Sequence, residues 1–196
     1  MKKILLSTAF AAGLALAACG PKAQDQAAMP AAEQSASPMT AVEAPLDPAA
    51  KTLEFATKAV KTSMVSVQTS QAAIAKTKNA DVKKFARALA ADGAKAETEL
   101  KAWAGKTTVM LPAGLDGLEK ANVDNVVSAD AEGFDDKYLD TVIDAQESSV
   151  SAFNDYIANG QEPGLKAWAQ TTLPALQAQL DQAKALRDKV NAAKSG

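Results

Sequence analysis

The chain has 196 residues, 47% of them apolar but only 5% aromatic, and a formal net charge of −2. That length supports one domain with a real hydrophobic core plus short appendages, and an Ala-rich, aromatic-poor composition favours helix over sheet. The histidine count is zero, which excludes Ser-His-Asp and Cys-His catalysis, His-based zinc sites and a histidine pH switch together. Taking Lys2 and Lys3 from the 21 basic residues leaves 19 against 23 acidic ones, a net charge of −4 beyond residue 18. A mildly acidic chain with no basic block is not expected to bind nucleic acid.

Residues 1–18 read as a signal peptide. Lys2 and Lys3 form a positive start, and Ile4 to Ala15 form an apolar stretch too short to span a bilayer comfortably. Leu16-Ala17-Ala18-Cys19-Gly20 follows and resembles a bacterial lipobox. That resemblance implies cleavage before Cys19 and acylation of its thiol and new amino group. Two or more acyl chains anchor stably where one is marginal. Gly20 after the cysteine resembles the sorting pattern for the outer membrane. Residues 19–47 then read as the lipidated cysteine and a disordered linker: Pro21, Pro30, Pro38 and Pro45 lie among Ala, Gln, Ser and Glu without apolar periodicity. As a flexible coil this tether spans roughly 30 Å.

Residues 48–192 carry four long helical patterns. Asp47-Pro48 is a helix start, with a carboxylate at the N-cap and proline at the first helical position. Leu53, Val60, Val67 and Ile74 recur every seven residues on a first helix ending near Lys78, with Ala56 and Met64 filling in. Asn79 caps a second, whose stripe runs Val82, Phe85, Leu89, Gly93, Ala96, Leu100 and Trp103. A third, about 130–158, shows Phe134, Tyr138, Val142, Gln146, Ser149, Phe153 and Ile157 before Asn159-Gly160. The fourth opens at Pro163 with Leu165, Trp168, Leu176, Leu180, Ala183, Leu186 and Val190, and Pro174 should kink or divide it. Short connections make the first two helices antiparallel neighbours, and likewise the last two. The long connection, roughly 106–128, has room for a short helix around 115–121. It could cross the full length of the assembly or fold back locally. The fold expected is an all-α four-helix bundle.

Several segments resemble the domain-of-unknown-function 4142 family, a ferritin-like group of bacterial envelope proteins. Val82 to Ala86 and Leu100-Lys-Ala-Trp-Ala104 are similar to its second helix, and Phe134 to Asp140 to the start of its third. Glu162 to Ala169 and Thr172-Leu-Pro-Ala-Leu176 are similar to its fourth. The resemblance implies an Asp-His pair in helix 2, single histidines in helices 3 and 4, and glutamates in helix 1. Here Asp92-Gly93, Gln146, Gln179, Ser66 and Gln68 occupy the corresponding places. Amides are weak neutral ligands and glycine has no side chain, so no metal site and no cofactor are expected.

The stripes single out Gln68 (with Gln71), Gly93, Gln146 and Gln179 without the family, as polar or absent side chains on apolar faces near mid-helix. They should share one central layer, either as a site for a small polar ligand, with room left at Gly93, or as a cluster of mutually bonded buried amides. Asp92 and Glu147 are the carboxylates that could rescue a metal site. Asp135, Asp136, Asp140 and Asp144 form an acidic run suited to a solvated face or loose calcium binding, and Trp103 and Trp168 fit core packing. Function is therefore expected to be non-catalytic: a lipid-anchored envelope protein whose bundle binds an envelope partner or small ligand. The alternative is a ferritin-like metal-binding or oxidative-stress protein with a degenerate site.

Overall fold

The computed structural model describes residues 47–195, and the signal peptide, Cys19 and the linker read above lie outside them. Among the described residues the protein is all-helical: α1 (Pro48–Lys76), α2 (Ala80–Ala104), α3 (Gly117–Ser128), α4 (Phe134–Asn159) and α5 (Pro163–Ser195). Among these residues no helix is long and apolar enough to cross a membrane.

The helix ends follow from local chemistry. Pro48 stands at the start of α1, where its missing N–H costs nothing, but the Asp47 side chain makes no capping bond, so the expected carboxylate cap is absent. Asn79 does cap α2: its Oδ1 accepts from the backbone N–H of Asp81 at 3.0 Å and of Val82 at 3.3 Å. Glu162 caps α5 through the N–H groups of Gly164 and Leu165. Pro174 sits inside α5 without dividing it, so α5 is one continuous helix of 33 residues.

Two apolar clusters lie at opposite ends of the long helices. One joins Phe85 and Leu89 of α2 to Phe134, Tyr138 and Val142 of α4 and Leu186 of α5. The other joins Phe55 and Val60 of α1 to Leu100, Phe153, Tyr156 and Leu165. Full burial of one such side chain contributes about 1.5–3 kcal/mol, so each cluster outweighs any single polar contact in the fold. The start of α2 shares a cluster with the start of α4, and the end of α2 with the end of α4. These two helices therefore run parallel, and the segment between them crosses the full length of the assembly. Within that segment Leu111 and Leu115 pack on one cluster and Val126 belongs to the other. Lys61 of α1 pairs with Asp116, and Lys76 bonds the Val127 carbonyl, which fastens α3 along α1.

The stripe expected on α1 is met in part: Val60, Ala56 and Met64 are buried and Val67 and Ile74 half-buried, but Leu53 is 45% exposed, and the buried face also takes in Phe55, Ala59, Ser63, Ser66, Ser70 and Ala73. Small side chains dominate because α1 packs against α2, α3 and α4 at once, which demands close backbone approach. Its hydroxyls meet α4: Thr52 bonds Tyr156 at 3.1 Å, Thr62 accepts from Ser149 at 3.1 Å, and Ser70 bonds Tyr138 at 3.0 Å. This ladder sets the antiparallel register of α1 against α4.

Candidate functional site

Between the two apolar clusters the helices frame a half-open cavity of about 230 Å³ with both apolar and polar side chains in its lining. Its floor is Leu89, Phe153 and Leu176, and its α1 wall is Thr62, Ser63 and Ser66. Gln146 and Ser149 project from α4, Gln179 and Trp168 from α5, and Asp92, Lys95 and Glu99 from α2.

A hydrogen-bond chain runs across it. Gln179 Nε2 donates to Asp92 Oδ2 at 2.8 Å, and Gln146 Nε2 donates to Gln179 Oε1 at 3.0 Å. The carboxylate fixes both amide orientations, because Asp92 can only accept and Gln179 must present its nitrogen to it. The far end of the chain is therefore Gln146 Oε1, an acceptor. It is buried and has no partner, in a residue only 1% exposed. An unsatisfied buried acceptor costs about 1–3 kcal/mol, so a donor supplied there is stabilised by a comparable amount.

Of the sequence candidates, the structure brings Gly93, Gln146 and Gln179 to this cavity, and Asp92 to its rim. Gln68 is not part of it. Gln68 and Gln71 are exposed on α1. Facing the cavity from α1 are Ser66, which stands at one of the family's glutamate positions, and Thr62 and Ser63, whose short hydroxyls give no signal against an apolar stripe. Gly93 also corrects an expectation. A Cβ there would lie 3.1 Å from the Ser63 carbonyl oxygen and 3.1 Å from Val67 Cγ2. The space left by the missing side chain is filled by α1, and glycine serves close helix packing rather than ligand room. Glu147 does not converge with Asp92. It lies outside, 2.7 Å from Lys184. The acidic run on α4 is tied down by α5, with Asp140 bonded to Arg187 and Asp136 to Lys194.

The tryptophans do more than pack. Trp103 Nε1 of α2 donates to Glu162 at 3.0 Å, and Trp168 Nε1 of α5 donates to Glu99 of α2 at 2.8 Å. These reciprocal pairs clasp α2 and α5 at the end of the cavity. Among the described residues no group of three or more His, Cys, Asp or Glu is placed to hold a metal ion.

A family described as a domain of unknown function, DUF4142, matches residues 21–186. The chain belongs to the DUF4142 family. No curated protein matches it significantly. The DUF4142 fold is similar to CopM in its Cu(II)-bound form, with a TM-score of 0.60 and 17% identity over 70% of this chain and 95% of that one. It is also similar to CopM in the Cu(I)-bound form, at a TM-score of 0.58 and 17% identity over 69% of this chain and 94% of that one. The Ag-bound form gives a TM-score of 0.58 and 18% identity over 69% of this chain and 94% of that one. At such identities the likeness is one of fold.

Proposed function

We propose that this DUF4142 protein is a lipid-anchored, non-catalytic envelope protein whose helices form a ferritin-like four-helix bundle that binds a small polar ligand in its central cavity. The parallel α2 and α4 with their long crossover support the ferritin-like frame. The observation that carries the ligand reading is the unpartnered acceptor of Gln146, buried in the wall of a cavity of about 230 Å³. The lipobox-like Leu16 to Cys19 supports the anchor, and the outer membrane as its destination rests on Gly20. Native mass spectrometry of the full chain, purified gently from envelope membranes, tests the ligand. A bound small molecule that is lost in Gln146→Leu supports the reading, and an empty wild-type protein opposes it. For the anchor, Cys19→Ala should abolish incorporation of labelled palmitate and release the protein from the membrane fraction.

A second reading, metal binding, is favoured by the fold likeness to copper- and silver-bound CopM. The donor set in this cavity does not suit those ions. Its side chains offer amide, hydroxyl and carboxylate oxygen and no thioether, thiolate or imidazole, whereas copper(I) and silver favour soft sulfur and nitrogen ligands. Titration of the full chain with Cu(I) or Ag(I) against a chelator separates the readings. Stoichiometric retention insensitive to substitution of Cys19, Met29, Met39, Met64 and Met110 would place the metal at the cavity and contradict the small-ligand reading.

A further inference from the structure

The polar atoms of the cavity are unequally committed. One N–H of each amide and the indole N–H are engaged: Gln146 Nε2 on Gln179, Gln179 Nε2 on Asp92, and Trp168 Nε1 on Glu99. Two hydroxyl protons are spent as well, with Ser149 donating to Thr62 at 3.1 Å and Ser63 to the Ala59 carbonyl at 2.9 Å. Acceptor capacity is left over. Gln146 Oε1 has no partner, and Asp92 engages Gln179 with only one of its oxygens, while Glu99 accepts from Trp168 with one and faces Lys95 with the other. The hydroxyls of Ser66 and Thr172 rotate to donate or accept, so the fixed groups decide: an unpartnered amide oxygen and two carboxylates favour a ligand that brings donors of its own.

Charge points the same way. The cavity lining contains two carboxylates, Asp92 and Glu99, against one cation, Lys95. All three are exposed at the open side of the cavity; Lys95 stands 3.7 Å from Glu99, and among the described residues Asp92 has no cationic partner. Asp92 and Glu99 are seven residues apart on α2, hence on one face and about 10 Å apart along the axis. The rings of Phe153 and Trp168 lie 5.4 Å apart in the same lining and offer π faces to a cation.

We infer that the ligand of this cavity is a small aliphatic ammonium compound, its N–H groups directed to Gln146 Oε1 and the α2 carboxylates and its hydrocarbon body against Phe153 and Trp168. This rests on the small-ligand reading above and names its chemical class. The test is isothermal titration of the full chain in detergent with three probes of matched length: butane-1,4-diammonium, butane-1,4-diol and succinate. The diammonium should bind, with the diol weaker by about tenfold or more, the worth of one charge-assisted hydrogen bond, and succinate not at all. Asp92→Asn keeps an acceptor for Gln179 while removing the charge, and should weaken the diammonium by about tenfold while leaving the diol unchanged. Equal or tighter binding of the diol or succinate would overturn the cationic assignment and leave the small-ligand reading standing. Binding of none of the three would overturn the assignment, and an empty cavity in native mass spectrometry would then remove the small-ligand reading too.

Discussion

Gly93 of α2 and Ser63 of α1 approach so closely that a Cβ on Gly93 would lie 3.1 Å from the Ser63 carbonyl oxygen. The neighbour is backbone in mid-helix and cannot swing aside. Alanine at this position gains about 1 kcal/mol in helix propensity but incurs an overpacking cost of about 1–3 kcal/mol. Gly93→Ala should therefore be near neutral or destabilising by up to about 2 kcal/mol. Gly93→His should cost more than 3 kcal/mol, roughly the upper range for single substitutions. Urea denaturation of the two variants checks this. A histidine restored here without loss of stability would show that α1 and α2 can separate, which the packing forbids.

Gln146 and Gln179 should respond unequally to truncation of their amides. Gln146→Leu removes an acceptor that is already unpaired, and its partner is half-buried and can turn to water. It should change the stability of the ligand-free protein by less than about 1 kcal/mol. Gln179→Leu leaves Gln146 with neither end satisfied in a buried position and should cost about 1–3 kcal/mol. The double variant should recover most of that loss, as expected for residues in one network. Thermal unfolding of the three variants reads out the order.

Glu162 combines two duties, capping α5 and accepting from the Trp103 indole of α2 at 3.0 Å. Glu162→Ala removes both and should cost about 1–3 kcal/mol. Glu162→Gln retains a carbonyl acceptor and should lose less than half as much. Trp103 fluorescence should shift to the red in the alanine variant as the indole gains water.

Tyr138 is wholly buried and bonded to Ser70, and burial raises its phenol well above the ordinary value near 10. The neutral form is favoured in the folded state, so the folded chain binds this proton more tightly than the unfolded one. Stability is then full below about pH 10 and declines as pH rises through and beyond the unfolded-state value. Tyr156 is raised by desolvation in the same direction. With only two tyrosines in the chain, absorbance at alkaline pH should rise late and together with loss of helical signal. Tyr138→Phe should cost about 1 kcal/mol at neutral pH and flatten that alkaline decline. A normal phenolate titration of both tyrosines in the folded protein would contradict their burial.

The sequence made α2, α4 and α5 legible because large apolar residues such as Phe85, Leu100, Phe153 and Leu186 mark their inner faces without ambiguity. Polar Gln146 and Gln179 stood out against those stripes and do meet across the cavity. On α1 the signal failed in part, for a physical reason. Beside Phe55, Val60 and Met64 its inner face is built of Ala56, Ala59, Ser63, Ser66 and Ser70, which carry little hydropathy contrast, so the stripe places exposed Leu53 and Gln68 inward. The direction of α4 relative to α2 was open in the sequence because a long connection can span or fold back. It is decided by side chains far apart in the chain, Phe85 with Tyr138 at one end and Leu100 with Phe153 at the other. The reciprocal Trp–Glu bonds likewise join α2 to α5 across dozens of residues, and no local pattern encodes them.

The central claim is that Gln146 Oε1 belongs to a ligand site, and a high-resolution crystal structure of the full chain purified with its native contents tests it most directly. The account predicts density for a non-protein group other than water, with an N–H or O–H donor within hydrogen-bond distance of that oxygen. A collapsed or water-only cavity in which Gln146 Oε1 accepts from Ser149 or Ser66 would contradict it.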